Sequence, residues 1–343
     1  MSYRQLSITL SLLTLLLTFP PSSLAQLRLS PDNTFKLLQF ADLHEGEGPD
    51  SWGSATDTRT ESFLVRAITS EKPDLVVFSG DQITGLNVFS NATKYYQRLS
   101  DLVDPTPHTM ILGNHDAEPY DGNGDQSDPG ALTTRADLIA FDSSQSNSYS
   151  KLGPESLLPA VSTYVVDVLA AHDDSVALQL VHLDSGGGGM HEEVQANQVE
   201  WLKDELNLRR MTNGRPVPAI VFIHIPFAEI ETTKEDGGNC WGVELDGVTP
   251  TDSDGGLFDL LASFEEVLAV FSGHDHCNSF CCALPTLDLC FGRHSSFGGY
   301  SCDAQAKEIG ARGIEAKVDE DGGIQLKTWL RMFNGRVAEE HAL

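Results

Sequence analysis

The chain has 343 residues, with 22 Lys and Arg against 50 Asp and Glu, and a formal net charge of −28. Hydrophobic residues make up 40% and aromatics 8%, enough for a buried core and too many for a disordered acidic tail. So large a negative charge excludes general electrostatic attraction to nucleic acid or to anionic lipid.

Residues 1–25 read as a signal peptide. Arg4 supplies a positive start, residues 6–19 are apolar, Pro20 and Pro21 end the run, and Ser23 and Ala25 offer a cleavage site. Residues 26–343 are expected to form one soluble domain, secreted or held in a secretory or vacuolar lumen. No later run approaches the ~18 apolar residues of a membrane span. The tail at 337–343 is short and polar.

Residues 35–40 are predicted as a strand, 61–70 as a helix and 74–79 as a strand after Pro73. A helix at 93–103 and a strand at 108–112 follow. This alternation predicts an α/β fold with a largely buried sheet. Residues 117–160, rich in Asp, Gly, Ser and Pro, read as a surface insertion around one helix at 131–141. Strands are then expected at 162–170 and 176–183, a helix at 192–210 and a strand at 219–224. A helix at 257–269 and a short strand at 270–272 precede a strand-rich remainder through Trp329. The six cysteines, at 240, 277, 281, 282, 290 and 302, suit disulfides in a secreted chain, and their spacing leaves the connectivity open. Asn91-Ala92-Thr93 is a glycosylation sequon.

Chemistry-bearing residues cluster just after predicted strands. The first strand runs into Asp42-Leu43-His44, the second into Gly80-Asp81, and the third into Gly113-Asn114-His115-Asp116. The strand at 219–224 ends in His224, and that at 270–272 runs into Gly273-His274-Asp275-His276. The carboxyl ends of strands are where open α/β sheets bind ligands. Carboxylate, amide and imidazole donors suit Mn, Zn or Fe. Each block alone is weak; five in succession point to a metal centre.

This series resembles the calcineurin-like metallophosphoesterase superfamily. Within it the chain is similar to the plant and fungal purple-acid-phosphatase-like group, some of whose members bear the label inactive. Phrases such as Phe222-Ile223-His224-Ile225-Pro226 and Lys327-Thr328-Trp329 extend the likeness over about residues 35–331, with departures at 117–160 and 243–256. The resemblance implies a four-layer α/β/β/α sandwich carrying two divalent metal ions. Asp42, His44 and His276 would hold one ion, Asn114, His224 and His274 the other, and Asp81 would bridge them. Two cations ~3.5–4 Å apart can share a hydroxide, lower its pKa and clamp both oxygens of an in-line phosphoryl displacement. His115 would protonate the leaving alkoxide. Asp116 either orients the His115 ring or caps the following turn. The likeness also implies a Cys281–Cys290 disulfide across the short segment between them, with the adjacent Cys282 leaving the pairing ambiguous. Thr84 stands where the purple enzymes carry a tyrosine ligand, which implies a centre of divalent rather than ferric ions.

Other features carry less. Asp121, Asn123 and Asp125 begin like a calcium loop, but Gln126 and Leu132 stand where Gly and Glu are needed. Gly186 to Gly189 lack the Gly-Lys-Ser/Thr of a phosphate loop and read as flexible chain near the rim. His182 reads as a packing residue. Arg293 and His294 either touch a substrate phosphate or belong to a solvated loop. The function expected is that of a secreted phosphomonoesterase acting on a small phosphorylated substrate, with no nucleic-acid or membrane partner. A diesterase on the same fold and a metal-binding pseudoenzyme are the alternatives.

Overall fold

The computed structural model describes residues 24–47, 54–88, 91–117, 133–300, 308–319 and 323–343. Residues 1–23 of the expected signal peptide and the turn expected at Asp121, Asn123 and Asp125 lie outside them. The strands β1 (Thr34–Phe40), β2 (Leu75–Ser79) and β3 (His108–Ile111) are parallel and almost wholly buried. Successive side chains point to opposite faces, so strands apolar on both faces need a packed layer on each side. Leu37, Leu75 and Val77 face one core, and Leu38, Val76 and Phe78 the other.

That first sheet runs β13-β12-β11-β1-β2-β3, its remainder formed by β11 (Gly310–Val318), β12 (Ile324–Met332) and β13 (Val337–Ala342). Its outer face carries α1 (Ala55–Glu71), α3 (Ala92–Val103) and α4 (Arg135–Ser143), while α2 (Gly85–Val88) is a single turn after β2. The second sheet has β4 (Tyr164–Leu169), β5 (Val176–Leu183), β6 (Ala219–Ile223), β7 (Asn239–Trp241), β8 (Val267–Ser272), β9 (Cys281–Ala283) and β10 (Asp288–Phe291). Its order is β4-β5-β6-β8-β10-β9-β7, with β5, β6, β8 and β10 parallel. On its far face lie α5 (Ala196–Asn213), α6 (Glu229–Glu235) and α7 (Leu257–Ser263). The sheets meet through Leu37, Val77, Leu180, Phe222, Phe271 and Ile314. The chain is therefore an α/β/β/α sandwich.

Several boundaries differ from the sequence reading for local reasons. Helix α1 begins six residues earlier, at a capping box between Ser54 and Asp57, and α4 begins later, at one between Thr134 and Asp137. Helix α5 starts at Ala196 because Val194 is taken up by Ser253. Residues 257–269 are not one helix. Phe264 is extended, and Val267 and Ala269 already pair with β6 as part of β8. The polar tail is β13, pairing with β12.

Two disulfides close the edge of the second sheet. Cys281 and Cys290 sit opposite each other on β9 and β10, and Cys240 and Cys282 on β7 and β9. Adjacent strand residues point to opposite faces, so Cys281 lies in the inter-sheet core and Cys282 in the helix-facing one. In the loop-entropy account, a closed loop of 42 residues contributes more than one of 9. Replacing Cys240 and Cys282 by Ala should cost roughly 4 kcal/mol, against roughly 2.5 kcal/mol for Cys281 and Cys290. Urea unfolding of the two double variants checks the order, and non-reducing peptide mapping checks the pairs.

Candidate metal centre

All the residues singled out by the five blocks lie at the same end of the two sheets. Asp42, Asp81 and Asn114 follow β1, β2 and β3, and His224 and His274 follow β6 and β8. The chain turns sharply there. Among the described residues seven non-glycine positions have positive φ, and four of them are Asp42, His44, Asp81 and His274. Such backbone costs ~1–3 kcal/mol per residue and persists only where its surroundings over-determine it. Gly80 shows why no side chain fits before Asp81: its φ is 103°, and a Cβ would lie 2.2 Å from His224 Nδ1.

The donors fall into two groups. Asp42, His44 and His276 each bring one ligand atom within 4.8 Å of the others, and so do Asp81, His224 and His274. Asn114 Oδ1 joins the second group, 3.0 Å from His224 Nε2 and 3.2 Å from His274 Nδ1. Asp81 Oδ2 lies between the groups, 3.2 Å from His224 Nε2 and 3.6 Å from His44 Nε2.

Outer hydrogen bonds fix which ring nitrogens face inward. His224 donates from Nδ1 to Ser79 O, and His276 from Nδ1 to Tyr300 O, both at 2.9 Å. His44 Nδ1 donates to Thr84 Oγ1, whose own proton goes to Glu47 Oε1. His44 Nε2 and His276 Nε2 then face each other at 3.1 Å with a lone pair apiece. Such an arrangement is repulsive unless a proton or a metal ion is shared between the two nitrogens, and the donor set fits metal ions. Its composition, imidazole with carboxylate and amide oxygen, suits divalent transition metals.

The electrostatics agree. Burial holds His44 and His274 down at about 3, so both are neutral rings with free lone pairs. Burial would also lower His224, but Asp81 and Asp42 raise it to about 10. For Asp81 burial works upward, yet His224 and His44 outweigh it and hold the carboxyl well below its usual range. Asp42 is raised by burial, opposed by His276 and His224. The cup calls for positive charge where the second group converges.

Over the whole of residues 35–278 the chain matches the calcineurin-like phosphoesterase family. It belongs to that family. It is 29% identical over 350 residues to "Probable inactive purple acid phosphatase 14" of Arabidopsis thaliana, covering 90% of this chain and 82% of the relative. "Probable inactive purple acid phosphatase 28" of the same plant is 30% identical over 352 residues, at 89% and 82% coverage. The solved structure of a purple acid phosphatase from yellow lupin (Lupinus luteus) superposes with a TM-score of 0.51. Identity there is 12%, over 90% of this chain and 53% of that one. That likeness supports the calcineurin-like phosphoesterase fold.

Around the centre, His115 lies on the rim, its ring 5.2 Å from that of His44 and its backbone N–H donating to Asp81 Oδ1 at 2.8 Å. Asp116 is buried beside the centre. Its carboxylate accepts the backbone N–H groups of Asp81, Gln82, Ile83 and Gly113, at 2.7–3.2 Å, and so shapes the turn that carries Asp81. Burial and Asp81 push its carboxyl up to about 6. Gly187 packs its backbone against Asn114, where a Cβ would lie 2.3 Å from Asn114 Cβ. Arg293 and His294 are in neither of the places foreseen. Arg293 is buried and donates to Glu308 O, and His294 is buried with its ring 4.2 Å from that of His276. His182 is a core residue stacked on Tyr164. Asn91 stands at the start of α3 and accepts from Lys94. Sequence reasoning missed Glu47, Tyr300 and Arg135. Arg135 donates to Gly113 O and pairs with buried Asp184, bracing the strand end that bears Asn114.

Asp116→Ala leaves four buried amides without their acceptor, and each unsatisfied group costs ~1–3 kcal/mol. Stability by urea unfolding and metal uptake should both fall. A role in orienting His115 would instead cost rate alone, with stability and metal uptake intact.

Proposed function

We propose that this chain is a secreted phosphoesterase that hydrolyses phosphomonoesters with two divalent ions and His115 as general acid. The observation that carries the reading is Asp81 Oδ2, one carboxylate oxygen placed between two complete donor groups. Asp42, His44 and His276 would hold one ion, and Asn114, His224 and His274 the other. Two ions so held supply a nucleophile of lowered pKa and positive charge for the phosphoryl oxygens. The protein's part is to keep the donors aimed. His224 and His276 are pinned by backbone carbonyls, and Asp81 is fixed through the amides bound to Asp116. His115 is tied to Asp81 by its backbone, and its ring lies at the rim, where a leaving alkoxide could take its proton.

Net charge favours a small substrate over a polynucleotide. The disulfides, and the apolar run at residues 6–19, support a secretory route. Among the described residues no helix is long and apolar enough to cross a membrane. The word "inactive" in the names of the Arabidopsis relatives favours a pseudoenzyme instead, and an assay separates the two readings.

Chelation and dialysis should abolish hydrolysis of a nitrophenyl phosphate, and Mn²⁺ or Zn²⁺ should restore it. Activity indifferent to chelation contradicts the mechanism, and no activity at full metal loading favours the pseudoenzyme. His115→Asn should keep its metal and lose ~10²–10⁴-fold in rate on an alkyl phosphate. The loss should be smaller on a nitrophenyl ester, whose leaving group needs little proton help. Comparing kcat on the two esters, with metal content measured in parallel, checks this.

A further inference from the structure

The inward-facing imidazoles are not held alike. His224 and His276 rely on main-chain carbonyls, those of Ser79 and Tyr300. His44 relies on a side chain, the Thr84 hydroxyl at 3.0 Å, which donates in turn to Glu47 Oε1 at 3.0 Å. The same Glu47 oxygen is 3.7 Å from His44 Nδ1.

The second Glu47 oxygen reaches the other histidine of that group. Oε2 accepts the Gly299 N–H at 2.5 Å. Gly299 lies against both rings, where a Cβ would be 2.5 Å from His276 Cε1 and 2.9 Å from His44 Cδ2. Tyr300, next in the chain, stacks on His276 with ring centroids 3.9 Å apart and an interplanar angle of 7°. Its carbonyl takes the His276 Nδ1–H, and its phenol oxygen accepts the His276 backbone N–H at 2.9 Å.

Resting on the two-ion reading above, we propose that Glu47 is the positioning residue of one ion site. Through Thr84 it aligns His44, and through Gly299 and Tyr300 it aligns His276. Carboxylates behind ligating imidazoles fix ring orientation and raise basicity, and their loss typically costs 10–100-fold in metal affinity. The histidines of the other group are held elsewhere: His224 by Ser79, and His274 through its backbone by Asp42. Removing the Glu47 link therefore weakens the Asp42, His44 and His276 site and spares the second.

The test uses Mn²⁺ alone, titrated by calorimetry into the full chain and into Glu47→Gln, Thr84→Val and Thr84→Ser. Glutamine has one acceptor oxygen where Glu47 has two, so it can serve Thr84 or Gly299 but not both. The unmodified protein should take two ions. Glu47→Gln and Thr84→Val should weaken one binding step by ~10–100-fold and leave the other unchanged. Thr84→Ser, which keeps the hydroxyl, should restore most of the loss. Two unaltered steps in Glu47→Gln overturn the proposal, and so does equal weakening of both. Thr84→Val buries a new methyl beside the site; if it does not fold, the partly exposed Glu47→Gln decides alone. An unmodified chain that takes no ion overturns the two-ion reading itself, a result distinct from either.

Discussion

Asp81 is an anion carried out of water into a cup of imidazoles, and the rest of the site is arranged around that cost. A buried carboxylate loses several kcal/mol of hydration, which only close positive charge can return. Its neighbours at 3.2 and 3.6 Å are ring nitrogens of His224 and His44. His44 is kept neutral by burial, so the charge must come from a proton on His224 or from cations held by the donor groups. Cations serve better, because they also relieve the facing lone pairs of His44 and His276. The positive-φ backbone at Asp42, His44, Asp81 and His274 adds a second cost, since donors cannot converge from straight strand ends.

A sandwich of two sheets can bear those costs because neither sheet carries the centre by itself. The first sheet presents Asp42, Asp81 and Asn114 from three adjacent parallel strands, and the second presents His224 and His274 from two. Leu37, Val77, Phe222 and Phe271, in the inter-sheet core beneath, fix the spacing of those strand ends. Arg312 ties the layers further. Wholly buried on β11, it donates to Phe291 O of the second sheet, to Ser279 O just before β9 and to Thr328. The geometry at the rim is thus a consequence of packing well below it.

Much of this was readable in the chain because each donor sits within a few residues of a buried strand, where a polar residue stands out. The Gly80-Asp81 and Gly113-Asn114 steps show it well. Helix starts were less readable because their signal is one hydroxyl and one carboxylate three residues apart, as at Ser54 and Asp57, rather than an apolar period. The segment from 229 to 241 forms α6 and β7 with few buried apolar side chains, so periodicity had little to mark. Cys240 pairs with Cys282 over 42 residues, a closure that only the register of β7 on β9 reveals. Glu47, Thr84 and Tyr300 acquire their roles through partners distant in sequence. Asp116 is intermediate: its place beside the site was plain, while the four amides that engage it come from the turn before and the loop across.

The loop at residues 240–249 is not independent of the candidate metal ligands, and that constrains how it can vary. Residues 240–249 are tied repeatedly to the segment that bears His274 and His276 or to its neighbours. Cys240 is bonded to Cys282. Asn278 Oδ1 accepts from the backbone of Leu245 and Asp246, and Asp275 Oδ2 accepts from Thr249 N. Asp246 in turn accepts the proton of the Tyr300 phenol, the ring stacked on His276. A substitution that moved this loop by an ångström would pull on Tyr300 and on Asp275, which lies between two proposed ligands. Variation in this loop is therefore cheapest in side chains that leave these ties alone, such as exposed Leu245 and Val243.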